Sequence, residues 1–131
     1  MPFSDRIMLI DDDEELLDVL KEIFSVYYEC KSFLDANEAL AEIRSGVSYD
    51  CMVCDLMMPK MSGIEFYAAV RNSQPTWLSR ILFMTGGSDS KQMNEFLNRP
   101  EINYCEKPIQ VKAILILVND LIQKKNRPTR I

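Results

Sequence analysis

Four short apolar runs, each leading to a polar residue, constrain this chain more than any other feature. Residues 7–10 end at Asp11-Asp12, residues 51–54 at Asp55, residues 81–84 at Thr85, and Tyr104-Cys105 leads through Glu106 to Lys107. A short apolar run without polar alternation suits a strand covered on both faces, as in a parallel sheet packed between helices. Neighbouring parallel strands present their carboxyl ends along one edge, so carboxylates, a hydroxyl and an ammonium would converge there. Such a set is foreign to a hydrophobic core and suits a divalent cation and a phosphoryl group.

Helical spacing fills the intervals. Leu16, Leu17, Leu20, Ile23 and Phe24 recur at helical period to about residue 27, behind a carboxylate-rich first turn that suits a helix dipole. Residues 30–33 read as a weak strand. Asp35-Ala36-Asn37-Glu38 has the pattern of a capping box and opens a helix carrying Ala39, Leu40 and Ile43, ended by Gly46. Ser62-Gly63-Ile64-Glu65 is a second such pattern, with a helix to about residue 72. Beyond the Gly86-Gly87 turn, Asp89-Ser90-Lys91-Gln92 can cap a short helix whose apolar face is Met93, Phe96 and Leu97, closed by Pro100. A fifth strand is expected over about 102–105 and a last helix over about 111–124. Five β-then-α units predict a doubly wound α/β fold, a five-stranded parallel sheet with five helices. Ligands of such open sheets bind beyond the carboxyl ends of the strands, where Asp11, Asp55, Thr85 and Lys107 fall.

The 131 residues suit one domain, read as residues 1–125 followed by a basic tail over 126–131. A net charge of −5, with clustered basic residues only in Lys124-Lys125-Asn126-Arg127-Pro128-Thr129-Arg130, argues against direct binding to nucleic acid. No apolar stretch is long enough to span a bilayer and no leader pattern opens the chain, so a cytoplasmic location without a membrane partner is expected. Cys51 and Cys54, three apart on a strand, point to opposite faces; with Cys30 and Cys105 also on strands, all four are expected as reduced thiols. The sequence contains no histidine. That removes His-containing zinc sites, Ser-His and Cys-His nucleophile pairs, and any phosphohistidine of its own.

Met8-Leu9-Ile10-Asp11-Asp12-Asp13, Val53-Cys54-Asp55-Leu56-Met57-Met58-Pro59 with Gly63, Phe83-Met84-Thr85-Gly86, and Tyr104-Cys105-Glu106-Lys107-Pro108 together resemble the receiver domain of bacterial two-component response regulators. The resemblance covers nearly the whole chain and implies a flavodoxin-like strand order, 2-1-3-4-5. It implies that Asp55 accepts a phosphoryl group from a phosphohistidine of a sensor kinase or phosphotransfer protein. It also implies Mg²⁺, with Asp12, Asp55 and the backbone carbonyl of Met57 as direct ligands and Asp11 acting partly through water. Thr85 and Lys107 would hold the remaining phosphoryl oxygens, and a cis peptide before Pro108 would aim the lysine into the pocket. Catalysis would then be positioning and charge neutralisation. Such a chain is a switch that catalyses its own phosphorylation and dephosphorylation, not a turnover enzyme.

By the same resemblance Tyr104 is an aromatic switch that turns inward as Thr85 is drawn to the phosphoryl group. Met57 and Gly87 stand where the family tunes phosphoryl lifetime. Neither side chain can orient a hydrolytic water, and slow to intermediate autodephosphorylation is expected. The listener would be a downstream protein or a covalently linked domain, since the Met-Thr-Gly-Gly turn and Glu-Lys-Pro segment look like hybrid-kinase receivers. In the last helix Val111, Ile114, Leu115, Val118, Leu121 and Ile122 make a core stripe that Ile116 and Leu117 widen. The extra apolar surface suits a partner, or a phosphorylation-dependent homodimer through the last helices.

Other functions fit the residues less well. Phosphatases with a strand-end Asp nucleophile commonly carry a second Asp two residues on, where this chain has Met57. A flavin-binding domain of the same topology would want a Ser/Thr/Gly-rich phosphate loop where this chain has Asp11 and Asp12. The alternative is a degenerate receiver acting only as a docking module, and the complete set of Asp11, Asp12, Asp55, Thr85 and Lys107 argues against it.

Overall fold

The fold is seen in a computed structural model that describes residues 5–87 and 90–126. Its elements follow the order β1 (Arg6–Ile10), α1 (Glu14–Phe24), β2 (Glu29–Phe33), α2 (Ala36–Arg44), β3 (Cys51–Asp55), α3 (Gly63–Ser73), β4 (Ile81–Thr85), α4 (Lys91–Leu97), β5 (Asn103–Glu106) and α5 (Val111–Asn126). The strands form one sheet in the order β2-β1-β3-β4-β5, and every neighbouring pair is parallel. This is the doubly wound, flavodoxin-like arrangement.

The unbroken apolar runs are explained by a core on each side of the sheet. Met8, Ile10, Met52, Cys54, Ile81 and Phe83 point to one face, where α2, α3 and Phe96 of α4 cover them. Ile7, Leu9, Cys51, Val53, Leu82 and Met84 point to the other, under α1 and α5. Alternation along each strand thus serves two apolar layers. Cys51 and Cys54 fall in opposite clusters, and all four cysteines are free thiols.

Local signals set several ends. Asp13 caps α1 by accepting from the Leu16 N–H, and Ser62 with Glu65 forms a complete capping box at α3. The box expected at Asp35 takes another form: Asp35 accepts from the Asn37 N–H at 2.8 Å, one residue short of Glu38. Ser90 caps α4, while Asp89, also considered for that cap, lies outside the described residues. Gly63 opens α3 where a Cβ would stand 2.9 Å from the Leu56 Cα and 3.0 Å from Phe83, so the close approach itself requires glycine.

Four expectations need correction. A 3-10 helix over Pro75–Arg80, burying Trp77, joins α3 to β4, where no element was expected. β5 begins one residue late, because the Ile102 N–H bonds the Arg99 carbonyl to finish the turn after α4. Val111, first residue of α5, is exposed: it sits at the sheet edge, beyond the reach of the core stripe. α5 itself continues to Asn126, and tail residues 127–131 lie outside the described residues. Leu115 and Leu117 are half-buried against the core, whereas Ile116 lines a groove with Tyr27, Tyr28 and Asn119, on the α1 side. Among the described residues no helix is long and apolar enough to cross a membrane.

Candidate functional site

Register places the polar residues. Ile10 pairs with Cys54, so Asp11 and Asp55, each one step further, emerge side by side from adjacent strands. Asp55 pairs with Met84 and Thr85 with Glu106, which puts Thr85 and Lys107 at the same carboxyl edge. The edge is stitched by backbone bonds from Leu56 N–H to the Met84 carbonyl and from Lys107 N–H to the Thr85 carbonyl. β1 connects outward to β2 while β3 leads the other way, so the residues gather where the strand order reverses.

Asp11, Asp12 and Asp55 can each offer a carboxylate oxygen within 4.8 Å of the others. Asp11 and Asp55 are buried and Asp12 is exposed, giving the cluster a wet side and a dry side. The Asp13 N–H holds Asp11 through Oδ1 at 2.9 Å. Lys107 Nζ stands 3.3 Å from both Asp11 Oδ2 and Asp55 Oδ1, and the Lys107–Pro108 peptide is cis.

Burial dominates the titration of these groups. It pushes the Asp55 carboxyl up to about 6; the neighbouring Asp11 charge adds to the rise, and Lys107 and the Met57 N–H oppose it. Burial likewise raises Asp11, against the Asp13 N–H and Lys107. For Lys107 burial works against the charge, yet the two carboxylates prevail and hold the ammonium above its ordinary value. The site therefore carries more negative charge than one lysine offsets. Hard oxygen donors in this number match what Mg²⁺ prefers, one or two carboxylates with room for water and a phosphoryl oxygen. The residues present fit that ion.

Residues 7–119 match the family described as the response regulator receiver domain. The chain belongs to that family. Among curated relatives, the transcriptional regulatory protein FixJ of Bradyrhizobium diazoefficiens is 26% identical over 95% of this chain and 60% of its own length. The uncharacterized transcriptional regulatory protein YrkP of Bacillus subtilis is 34% identical over 83% of this chain and 46% of its own. A CheY-like receiver domain protein from Methanospirillum hungatei superposes with a TM-score of 0.81 at 24% identity, over 93% of this chain and 96% of that one. The receiver spans only 8% to 60% of the length of the first of the curated relatives it matches.

Within this receiver, Thr85 is buried and its Oγ1 accepts from the Gly87 N–H at 3.1 Å, while Gly87 holds a φ of 89°. Tyr104, 39% exposed, pairs in register with Phe83 and shares a cavity with Thr85. Met57 is exposed beside the carboxylates. Thus Asp11, Asp12, Asp55 and Lys107 meet directly, and Thr85 and Tyr104 share the adjoining cavity. Sequence reasoning missed Asn94 of α4 and Asn98, the residue that caps the end of that helix, which line that cavity too. Their four-residue spacing, which brings both to one side of the helix end, is the signal the sequence offers.

Proposed function

We propose that this receiver accepts a phosphoryl group on Asp55 from a phosphohistidine of a sensor kinase or phosphotransfer protein. The observation that carries the reading is Lys107 Nζ at 3.3 Å from both Asp11 and Asp55, beside a carboxylate trio able to hold a cation. The donor histidine lies outside these 131 residues, since they contain none.

An Asp55 carboxylate oxygen forms the new P–O bond while the P–N bond to the donor imidazole breaks and its electron pair returns to the ring nitrogen. Asp12, Asp55 and the Met57 carbonyl would hold Mg²⁺, with Asp11 supporting the ion from beside them. When bound, Mg²⁺ supplies the positive charge that lets a carboxylate meet an anionic phosphoryl group. Lys107 moves its ammonium from the carboxylates onto a phosphoryl oxygen, and Thr85 donates its hydroxyl to another. A Thr85 side chain drawn toward the phosphoryl group vacates part of the cavity it shares with Tyr104, into which the tyrosine turns. The readout is a change of protein contacts, with a separate target or a linked domain. Exposed Met57 covers the phosphoryl group and Gly87 leaves its side open, giving slow to intermediate loss of phosphate.

Incubation with acetyl phosphate and Mg²⁺, followed by intact mass, tests the assignment. Wild type should gain one phosphoryl group and Asp55→Asn none. A wild-type mass unchanged with acetyl phosphate and with a phosphorylated phosphotransfer protein would favour a docking-only receiver.

A further inference from the structure

The cavity beside Thr85 carries more polar groups than a tyrosine ring needs to enter it. It measures about 420 Å³, and its walls include Thr85, Asn94, Leu97, Asn98, Tyr104 and Glu106. Phe83 belongs to the core layer that Phe96 of α4 helps to cover, and Tyr104 pairs with it in register, so the tyrosine stands on the α4 side of the sheet. Phe96 seats α4 over β4, its ring edge-on to Phe83 with 5.4 Å between centroids. Asn94, Leu97 and Asn98 follow helical spacing and present one side of α4 and its cap to the cavity. Among the described residues, neither the side-chain amides of Asn94 and Asn98 nor the Tyr104 hydroxyl makes a hydrogen bond.

We infer that Asn94 is a positioning residue for the switch: its amide oxygen accepts the Tyr104 hydroxyl when the ring turns into the cavity. The inference deepens the Asp55 reading and rests on it. A phenol hydroxyl withdrawn from water needs a partner, because a polar group buried without one is destabilising. Asn94 supplies it, and so makes the inward form specific to tyrosine. An apolar side chain at that position would admit the ring and leave its hydroxyl unpaired.

The other polar walls are placed less well to receive the hydroxyl. Thr85 is engaged, since its Oγ1 accepts from the Gly87 N–H at 3.1 Å and its own proton serves the phosphoryl group. Glu106 follows Tyr104 by two residues on the same strand and is exposed. A ring that turns from β5 toward β4 moves away from that strand. Between the two asparagines, chain direction decides. β4 and β5 are parallel, so α4 runs back from the carboxyl edge of the sheet toward its amino edge. Asn94 therefore comes one turn earlier, on the Thr85 side, and Asn98 closes the far end of the helix. A tyrosine drawn toward Thr85 approaches Asn94 and leaves Asn98 behind.

Beryllofluoride with Mg²⁺ stands in for the phosphoryl group, and whatever holds Tyr104 inward should tighten its binding to the full chain. In calorimetric titration Asn94→Leu should raise the beryllofluoride Kd roughly threefold to tenfold, the effect of losing one neutral hydrogen bond. Tyr104→Phe should raise it by a similar factor, and the double variant no further than either alone, because both remove the same bond. Asn98→Leu should leave the Kd within about twofold of wild type. Asn94 is exposed, so Asn94→Leu should keep the wild-type Tm. A crystal structure of the wild-type complex should place the Tyr104 hydroxyl within hydrogen-bond distance of Asn94 Oδ1. Additive losses in the double variant, an equal loss on Asn98→Leu, or an inward hydroxyl bonded to another group overturns the inference and leaves the Asp55 assignment standing. A wild type that neither binds beryllofluoride nor gains a phosphoryl group from acetyl phosphate overturns both.

Discussion

Lys107 Nζ reaches Asp55 Oδ1 at 3.3 Å although the strands that bring the two residues to the edge are not neighbours. β4 lies between β3 and β5, so the lysine bridges two strand spacings, roughly 10 Å at the backbone. Only a long, flexible side chain with its charge at the tip can do this, and the same tip also meets Asp11. The two buried carboxylates are thereby tied to the edge strand at the far end of the sheet.

The excess of negative charge makes the metal-free fold pH-dependent through Asp55. Folding raises its carboxyl from 3.8 to about 6, so the folded state keeps a proton that the unfolded chain has released. Below 3.8 the group is protonated in both states and costs nothing; from there to about 6 the cost of the ionised form grows, and above that it is fully present. Asp55→Asn should stabilise the metal-free protein by on the order of 1–3 kcal/mol at pH 8. Urea unfolding in chelator should show that gain shrink between pH 8 and pH 5; an equal gain at both would refute the link to ionisation.

Cation binding should show the opposite face of the same equilibrium. Mg²⁺ needs Asp55 ionised, so its affinity should be nearly constant above about pH 7 and fall roughly tenfold per pH unit below about 6. Calorimetric titration at several pH values measures this. Asp12→Asn should weaken binding at every pH, and affinity that ignores pH would exclude Asp55 from the ligand set.

Removing the lysine should separate chemistry from response. Its side chain is 29% exposed, so Lys107→Ala should cost the metal-free fold only about 1–2 kcal/mol, seen as a lower Tm. Phosphoryl incorporation from acetyl phosphate should persist at reduced rate, with the switch at Tyr104 silent.

Tyr104 itself should become more buried when beryllofluoride and Mg²⁺ occupy the site. Crystal structures with and without the analogue would read its rotamer directly. The same rotamer in both would remove the role given to Tyr104.

Gly63→Ala should destabilise the fold by about 1–3 kcal/mol, because the new methyl meets the Leu56 backbone, which cannot swing aside, as well as the Leu56 Cδ1 and the Phe83 ring. Thermal unfolding of the variant checks this. A Tm within error of wild type would show that the start of α3 can shift.

Much of this receiver was legible because single residues announced themselves locally. The runs ending at Asp11, Asp55 and Thr85 are buried strands because both faces of the sheet need apolar cover, and Ser62 with Glu65 caps α3 by a bond spanning three residues. Trp77 was less legible: its burial rests on a 3-10 turn between α3 and β4, and Pro75 was the only nearby signal. Asp35 had the right neighbours for a capping box, yet it bonds the Asn37 N–H and also lies 3.8 Å from Lys60 Nζ. Local pattern could not decide between those partners.

The sequence by itself determined the alternation of strands and helices, the polar stops and the absence of a histidine donor, since period and residue type are properties of neighbours along the chain. Tertiary structure alone decided that Lys107 shares its charge between Asp11 and Asp55, that burial lifts Asp55 to about 6, and that Ile116 looks toward α1. Those facts depend on which strands lie side by side and how much water they exclude, and sequence separation carries neither.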